Sequence, residues 1–316
     1  MRRAACAARV CWSTSVRHSR SAEFDEVLGV VTSREAPRWT DLTSDPNHAA
    51  ALASRADVLR RAWRPPIRDR VRFLEERCRA RRVLDVGCVA HDVARMDRPQ
   101  WLHGRLAAVA ERCIGVDVLA AGVNEMQKRG YHVVLHDLRS GLGPLAAEAP
   151  FDVIIAGELI EHVESMDMLF RLAAEALTPE GRLILTTPNP YAPHRVRAGQ
   201  LGLVWENVDH ILYAFPSGVA ELAERHGLFL AEAAVTDDRR RLRPKERVKA
   251  LRRWLRGSQW VTVGFATAGI PRVQRVGYGP KAGALHGLWR PRRRFLGETF
   301  VYGIGRAAPE SPCAHA

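Results

Sequence analysis

The chain has 316 residues, 47% of them hydrophobic and 26% charged, and a formal net charge of +13 at pH 7. This length and composition predict a soluble globular protein with a sizeable core, built as one large domain or as one domain with appendages. A membrane-spanning protein is excluded, because no apolar run approaches the roughly 18 residues that a transmembrane helix needs.

The charge is distributed unevenly along the chain. Residues 1–82 carry a net charge of +8, residues 83–235 a net charge of −8, and residues 236–316 a net charge of +13. A basic flank is able to hold phosphates or an anionic membrane surface. However, 44 of the 48 cations are Arg, a bias that GC-rich coding alone produces, and no RNA- or DNA-binding motif accompanies them. We interpret the flanks as solvated basic surface and keep a nucleic-acid site as the alternative.

The six cysteines form no CxxC pair, no zinc-binding spacing and no dense framework. Free thiols in a reducing compartment are therefore expected, and with them a cytoplasmic location. Residues 1–22 hold five Arg and no acidic residue, which is also typical of an organellar transit peptide. Because residues 1–46 lack sustained periodicity, we interpret them instead as a disordered basic tail.

Two helices are predicted before the main domain. Apolar residues recur at helical spacing over residues 47–63 and 67–79, and Pro65 and Pro66 separate the two stretches. We expect this segment, residues 47–80, to cover the mouth of the main domain.

Strands and helices alternate over residues 81–235, which we expect to form the core. The predicted strands span residues 82–87, 113–117, 131–136, 151–156, 182–187 and 228–235, and the predicted helices span residues 99–112, 119–129, 166–177 and 217–227. A turn is predicted at residues 179–181. This alternation predicts an α/β fold, a doubly wound, mostly parallel seven-stranded sheet with helices on both faces and an antiparallel edge strand.

The end of the chain is predicted to complete this sheet. Residues 298–307 contain an apolar strand that closes the core, and residues 308–316 form a short tail. The intervening residues 236–297 are rich in Arg and Trp, and we expect them to be a basic insertion or lid.

Four motifs occur in a characteristic order. Residues 84–88 are LDVGC, residues 115–117 are GVD, residues 151–163 are FDVIIAGELIEHV, and residues 177–189 begin with LTPEGRL and end with TTPN. This order resembles the class I S-adenosylmethionine-dependent methyltransferases, and most of all the branch that methylates small molecules and glycans. The resemblance covers residues 67–235 together with the closing strand.

The resemblance implies a site for S-adenosylmethionine at the carboxyl ends of the strands. Asp85 orients the loop and holds the amino-acid end of the cofactor, and Gly87 lets the backbone approach closely. Asp117 accepts hydrogen bonds from both ribose hydroxyls, and Asp137 accepts one from the adenine amino group. The expected cofactor-binding residues are Asp85, Gly87, Cys88, Asp117, Val118, Asp137, Leu138, Gly157 and Glu158.

The loop after the first strand departs from the family pattern. The family has small residues at every second position after the acid, whereas this chain has Val89 and His91. These side chains are expected to narrow the approach to the methionine part of the cofactor. Two interpretations stay open: a rearranged but working loop, or a fold that has lost cofactor binding and acts as a binding module.

Two histidines are candidates for a catalytic base. If the acceptor is a hydroxyl, a base near neutral pH assists the transfer, and imidazole has a suitable pKa. His162 lies beside Glu161 after the fourth strand, and His210 follows the fifth. The expected catalytic set is therefore His162, His210 and Glu161. Tyr191 and Trp205 are candidates for the acceptor pocket.

A metal site is a second interpretation of the same residues. Glu158, Glu161, His162 and His210 match in type and order the ligands of a divalent metal in enzymes that methylate the 2′-hydroxyl at small-RNA 3′ ends. Such mixed carboxylate and imidazole ligands suit a divalent ion. Because the Glu-x-x-Glu-His stretch also occurs in metal-free relatives, we expect no metal and keep this reading as an alternative.

We therefore predict an S-adenosylmethionine-dependent methyltransferase that methylates a hydroxyl of a small molecule or a glycan. The alternatives are a metal-assisted RNA 2′-O-methyltransferase and an inactive methyltransferase fold that serves as a binding module.

Overall fold

The computed structural model describes residues 37–89, 93–193, 195–196, 206–236 and 297–306. Its strands are β1 Arg82–Val86, β2 Arg112–Asp117, β3 Val133–Leu135, β4 Phe151–Gly157, β5 Leu177–Pro188, β6 Leu228–Val235 and β7 Thr299–Arg306. Its helices are α1 Trp39–Leu42, α2 Ala49–Ala62, α3 Arg70–Cys78, α4 Leu102–Ala107, α5 Ala120–Lys128, α6 Asp167–Ala176 and α7 Pro216–Arg225. Short 3-10 turns include Leu138–Ser140 and Ile160–His162.

The described strands form one seven-stranded sheet in the order β3-β2-β1-β4-β5-β7-β6. Strands β3, β2, β1, β4 and β5 are parallel, and β7 pairs antiparallel with both β5 and β6. The predicted fold class is confirmed. The antiparallel strand β7 lies one position inside the edge, and β6 is the outer strand.

Both faces of the central strands are buried, because alternate residues belong to different apolar clusters. Leu84 and Ile154 pack with α6 and α7 residues in the larger cluster, whereas Val83 and Ile155 pack with α3 and α4 residues in the second. This arrangement explains why the sequences of these strands are continuously apolar rather than alternating.

The two N-terminal helices lie on different parts of the sheet. Helix α2 packs against β6 and α7, where Arg55 forms ion pairs with Glu221 and Glu224. Helix α3 contributes Leu74 and Cys78 to the second cluster. At the start of α3, Arg70 Nη1 donates to Thr186 Oγ1 at 3.0 Å, so the segment reaches the carboxyl end of β5 there.

The segment between these helices runs along the outer strand. The backbone N–H of Arg64 donates to Ala233 O at 2.8 Å, and that of Ile67 donates to Val235 O at 2.8 Å. Two prolines stand between these donors. Residues 63–67 therefore cover the edge that β6 leaves unpaired.

Several predicted boundaries are wrong. The disordered tail predicted over residues 1–46 includes helix α1, whose Trp39 Nε1 donates to Glu221 Oε2 at 2.8 Å. The helix predicted over residues 99–112 is shortened to Leu102–Ala107. The turn predicted at residues 179–181 lies inside β5 as a bulge, because Leu177 pairs with Phe151 and Arg182 with Val153, which leaves four residues of β5 opposite one of β4.

The two ends of the segment between β6 and β7 lie next to each other at the edge of the sheet. Thr236 N donates to Thr299 O at 2.9 Å, and Glu298 N donates to Thr236 O at 3.1 Å. Because Pro188 pairs with Thr299, this place is the carboxyl end of β5. The predicted insertion itself, apart from its two end residues, lies outside the described residues, as do the predicted tail after residue 307, residues 1–36, His91 and Trp205.

Within the described residues, no helix is both long and apolar enough to cross a lipid bilayer.

Candidate functional site

The strand order reverses between β1 and β4, which opens a crevice at their carboxyl ends. Gly87 follows β1 with φ +72°, and a Cβ there would lie 2.8 Å from Leu159 Cδ1. Both the positive φ and the close approach favour glycine at this position. On the β4 side, Gly157 and Glu158 border the same crevice.

Asp117 ends β2 and holds the loop that follows β1. Its side chain is buried, with Oδ2 accepting from Val89 N at 2.9 Å and Oδ1 accepting from Leu119 N at 3.0 Å. Each carboxylate oxygen has a further lone pair for a ligand hydroxyl. The next residue, Val118, is 60% exposed and presents an apolar surface beside this carboxylate.

Asp137 lies at the end of β3, next to β2. Its carboxylate accepts from Arg139 Nη2 at 2.6 Å and from Arg139 N at 3.0 Å. The Arg139 guanidinium lowers the pKa of Asp137 below its ordinary value. A ligand amine at this carboxylate would share it with Arg139.

Val89, which stands where the family pattern has a small residue, packs against a glycine in α5. A Cβ at Gly122 would lie 2.1 Å from Val89 Cγ1, so the Val89 side chain occupies the space that Gly122 leaves open. Val89 packs at the cluster formed by Cys88, Val123 and Met126. Its side chain is therefore directed at α5 rather than into the crevice.

Cys88 and Leu138, two further residues expected to bind cofactor, also have buried side chains. Cys88 Sγ lies 2.6 Å from the place that a Cβ of Gly115 would take, and burial raises the pKa of this thiol well above its ordinary value. Leu138 is part of the larger apolar cluster. These residues can face a ligand mainly through backbone atoms.

Asp85 has a buried partner that the sequence did not suggest. His103 Nδ1 lies 3.0 Å from Asp85 Oδ2, and both residues are at most 3% exposed. Nothing in the sequence pattern marks His103, since it stands in an amphipathic stretch eighteen residues after Asp85.

A cation from α3 reaches the crevice. Arg70 Nη1 donates to Thr186 Oγ1 at 3.0 Å, lies 3.6 Å from Glu158 Oε1 and would lie 3.7 Å from a Cβ of Gly157. Glu158 itself adopts φ +53°, a conformation that costs free energy for a non-glycine residue and clusters at functional sites. The sequence did not single out Arg70, because many arginines surround it.

Glu161 is almost completely buried behind this edge. Thr187 Oγ1 donates to Glu161 Oε2 at 3.0 Å, whereas Oε1 has no hydrogen-bond partner among the described residues. Burial, with a smaller contribution from the negative charge of Glu158, raises the pKa of Glu161 to about 7. This carboxyl group is able to change protonation state near neutral pH.

Both candidate histidines have a carboxylate partner. His162 Nδ1 lies 3.1 Å from Asp209 Oδ2, and His210 Nδ1 lies 2.6 Å from Glu206 Oε2. Burial alone would raise the pKa of Glu206, but hydrogen bonds from Arg195, Tyr213 and His210 lower it below its ordinary value. Glu206 is therefore a carboxylate that accepts the Nδ1–H of His210 and leaves Nε2 as the basic nitrogen.

Glu161, His162 and His210 come together at one point. One ligand atom from each residue lies within 4.8 Å of the others, and the two imidazole rings are 4.8 Å apart in an edge-to-face arrangement. Oxygen and nitrogen atoms at this spacing suit a divalent cation. Glu158, the fourth residue of the predicted metal set, is outside this group and faces Arg70.

The crevice fits a nucleoside that carries an amino-acid tail. Asp117 suits a ribose diol, the exposed Val118 suits a purine face, and Asp137 suits an exocyclic amine. At the other end, the Asp85 and Glu158 carboxylates suit an ammonium group and Arg70 suits a carboxylate. The glycine positions supply the close approach that such a ligand needs.

Comparisons with known proteins identify the family of this chain. A family model described as a methyltransferase domain matches residues 58–233. This chain is similar to a probable S-adenosylmethionine-dependent methyltransferase of Mycolicibacterium smegmatis, with 30% identity over 182 residues that cover 51% of this chain and 66% of that protein. It is also similar to a ubiquinone biosynthesis O-methyltransferase of Azorhizobium caulinodans, with 29% identity over 140 residues that cover 43% of this chain and 49% of that protein.

This chain therefore spans just under two thirds of the first relative and about half of the second. Among solved structures, a SAM-dependent methyltransferase from Archaeoglobus fulgidus matches 74% of this chain and 89% of its own, at 15% identity and a TM-score of 0.41. Because the family model covers more than half of the residues, the chain belongs to the methyltransferase-domain family, and its resemblance to the class I S-adenosylmethionine-dependent methyltransferases is confirmed.

Proposed function

We propose that this enzyme transfers the methyl group of S-adenosylmethionine to a hydroxyl oxygen of a small molecule or a sugar. The observation that carries the proposal is the pairing of His210 with Glu206 beside the crevice, because an imidazole held in this way is a suitable acceptor for a hydroxyl proton. The similarity to a protein named as an O-methyltransferase agrees with an oxygen acceptor.

The cofactor residues follow from the chemistry of each side chain. We assign Asp117 to the ribose hydroxyls, Val118 to the adenine face and Asp137 to the adenine amine. We assign Asp85 and Arg70 to the ammonium and carboxylate of the methionine part. When bound, S-adenosylmethionine supplies an electrophilic methyl group on a sulfonium, so the protein mainly has to align the acceptor and exclude water.

His210 is the proposed base. Its Nδ1–H donates to Glu206, which fixes the orientation of the ring and leaves the lone pair on Nε2. Asn207 Nδ2 lies 3.3 Å from this Nε2, and an acceptor hydroxyl would take the place of this amide as the hydrogen-bond donor to Nε2. His210 Nε2 would accept the proton that the acceptor hydroxyl loses when its oxygen takes the methyl group that bound S-adenosylmethionine would supply. His162 borders the same space and orients the acceptor.

Exposed apolar side chains lie on the segment between β5 and α7, which also carries His210. Tyr191 and Phe215 have ring centroids 6.1 Å apart, and Ile211 N donates to Glu161 O at 2.8 Å. All three side chains are more than 40% exposed. A flat or apolar acceptor, such as a phenol, would bury this surface on binding.

The test is the variant His210→Gln, assayed by transfer of labelled methyl to a panel of catechols and sugars. We expect kcat to fall about 100-fold and the Kd for S-adenosylmethionine, measured by calorimetry, to stay within about twofold. The matched control is His132→Gln, since His132 faces Glu148 at the opposite end of the sheet. An unchanged kcat for His210→Gln would contradict the proposed base, and absence of S-adenosylmethionine binding by the wild type would contradict the enzyme function.

A second candidate function is metal-assisted methylation of an RNA 2′-hydroxyl. It is favoured by the convergence of Glu161, His162 and His210 and by the unpartnered Oε1 of Glu161. A divalent ion there would lower the pKa of an acceptor hydroxyl. Dialysis against EDTA, followed by readdition of Mn²⁺ or Zn²⁺, distinguishes the two functions: the first predicts unchanged activity on catechols or sugars, and the second predicts loss and recovery of activity on RNA 3′ ends.

A further inference from the structure

The buried His103 of α4 contacts the acid that we assign to the cofactor ammonium. His103 Nδ1 lies 3.0 Å from Asp85 Oδ2. A Cβ at Gly115 would lie 3.0 Å from His103 Cε1, so the neighbouring strand β2 has a glycine where the imidazole needs room. The contact is therefore accommodated by the packing of two strands and one helix.

The surroundings of His103 determine which nitrogen carries the proton. Its Nε2 is buried and has no hydrogen-bond partner among the described residues. The rings of Trp101 and Tyr131 lie 5.6 Å and 5.4 Å from the imidazole, centroid to centroid. Because a buried N–H without an acceptor costs more free energy than a bare nitrogen lone pair, the proton belongs on Nδ1, where it donates to Asp85.

This tautomer leaves the charge of Asp85 intact. A neutral imidazole donates a hydrogen bond to Oδ2 without cancelling the negative charge of the carboxylate. Within the part of the chain that the structure describes, the other oxygen, Oδ1, accepts no hydrogen bond. One oxygen is thus held in place and the other remains available to a cation.

We propose that His103 is a positioning residue for cofactor binding: it fixes Asp85 so that Oδ1 is presented to the ammonium group of the methionine part. The inference rests on the proposed function, because it takes S-adenosylmethionine as the ligand. It predicts an effect limited to ligands that carry the amino-acid tail. A purely structural tie between α4 and β1 would instead affect every ligand of the crevice.

Two isosteric amides test the inference. In His103→Asn, the amide nitrogen stands where Nδ1 stands and still reaches Asp85, whereas in His103→Gln it stands at the Nε2 position, where no acceptor lies. Calorimetry measures the Kd of each variant for S-adenosylhomocysteine and for 5′-methylthioadenosine, which lacks the amino-acid tail.

For His103→Gln we expect the Kd of S-adenosylhomocysteine to rise about tenfold, as for loss of a hydrogen bond to a charged group. The Kd of 5′-methylthioadenosine should stay within about twofold, and His103→Asn should bind both ligands within about threefold of the wild type. Equal weakening of both ligands by His103→Gln, or equal S-adenosylhomocysteine binding by the two variants, would overturn the proposal.

A second His–Asp pair supplies the control. His226 Nε2 lies 2.8 Å from Asp167 Oδ1, with the ring of Phe170 stacked nearby, and this pair joins α6 to the end of α7. His226→Asn is expected to lower the thermal midpoint without changing either Kd. If the wild-type protein binds neither ligand, the proposed function fails together with the inference, whereas a wild type that binds both and a His103→Gln variant that matches it would refute the inference alone.

Discussion

At the scale of single residues, the Val89 side chain in the loop after β1 fills the space left by the missing side chain of Gly122 in helix α5. The valine takes a position where the family has a small residue, and the glycine opposite it provides the room. The backbone N–H of Val89 also donates to Asp117. The packing of Val89 against Gly122 therefore helps to hold the loop in contact with Asp117, the carboxylate that we assign to the ribose.

Gly122→Ala is expected to lower the free energy of unfolding by about 1–3 kcal/mol, because its Cβ would overlap Val89 and overpack the site. This loss should exceed the gain of about 1 kcal/mol that alanine brings to a helix interior. In the double variant with Val89→Ala the overlap disappears, so the two effects should not add. Urea unfolding of the four proteins measures this, and strictly additive changes would contradict the packing described here.

Glu161 predicts a pH-dependent stability. Its pKa is raised from 4.5 to about 7 by burial, so the native state holds the proton more tightly than the unfolded chain does. The stabilising contribution is complete below about pH 4.5 and is lost as the pH rises towards 7, by about 3 kcal/mol in total. The variant Glu161→Gln should lack this loss.

The measurement is urea unfolding of both proteins in EDTA between pH 4.5 and pH 8. The wild-type free energy of unfolding should fall relative to that of Glu161→Gln across this range. Parallel curves would indicate that Glu161 is ionised throughout.

Residues within one motif were predictable, and residues that act across elements were not. Asp117 and Gly87 follow directly from strand ends in the sequence, because the end of a parallel strand fixes which edge a residue faces. His103 and Arg70 reach the same edge from two helices on the outside of the sheet. No local pattern reports such a contact, since it depends on how the helix packs.

At the scale of elements, helix α3 carries two arginines, two residues apart, of which one reaches the crevice and the other faces solvent. Arg70 reaches Thr186 and Glu158 at the crevice, whereas Arg72 pairs with Glu76 on the same helix and its side chain is 74% exposed. Arg70→Ala should raise the Kd for S-adenosylhomocysteine about tenfold, and Arg72→Ala should leave it unchanged. Equal values for the two variants in calorimetry would remove Arg70 from the cofactor site.

The order of strands and helices in the core was predictable because apolar periodicity reports burial directly. The residues at which individual helices and strands begin and end were less predictable. Helix α4 stops at Ala107 although the apolar residues continue, and β5 begins at Leu177 through a stretch with a proline and a glycine. After α4 the backbone bonds to the residues before β1, since Ala80 N donates to Val109 O and Glu111 N donates to Arg81 O, and in β5 the proline and glycine lie in a bulge that interrupts the pairing with β4.

At the scale of the whole molecule, the segment of residues 237–296 joins two neighbouring antiparallel strands. Its flanking residues Thr236 and Glu298 are hydrogen-bonded to each other. A short Gly-Ser linker should therefore close the β6–β7 hairpin at little cost in loop entropy. We expect the shortened protein to fold and to bind S-adenosylhomocysteine within about threefold of the full chain.

Circular dichroism and calorimetry of the shortened protein provide the measurement. The segment contributes a net charge of +14, so its removal should also weaken retention on a polyanion column at low salt. A shortened protein that is unfolded would show that the core depends on this segment.

The proline segment beside β6 has a consequence for how copies of this protein meet. An outer strand with free backbone groups invites another chain to add to it, which leads to aggregation or strand exchange. Here the carbonyls of Ala233 and Val235 are already used by residues 63–67, and the adjacent Pro65 and Pro66 offer no N–H to an incoming strand. At the other end of the sheet, β3 is only three residues long. Addition of a strand from another copy is therefore disfavoured at both edges of the described sheet.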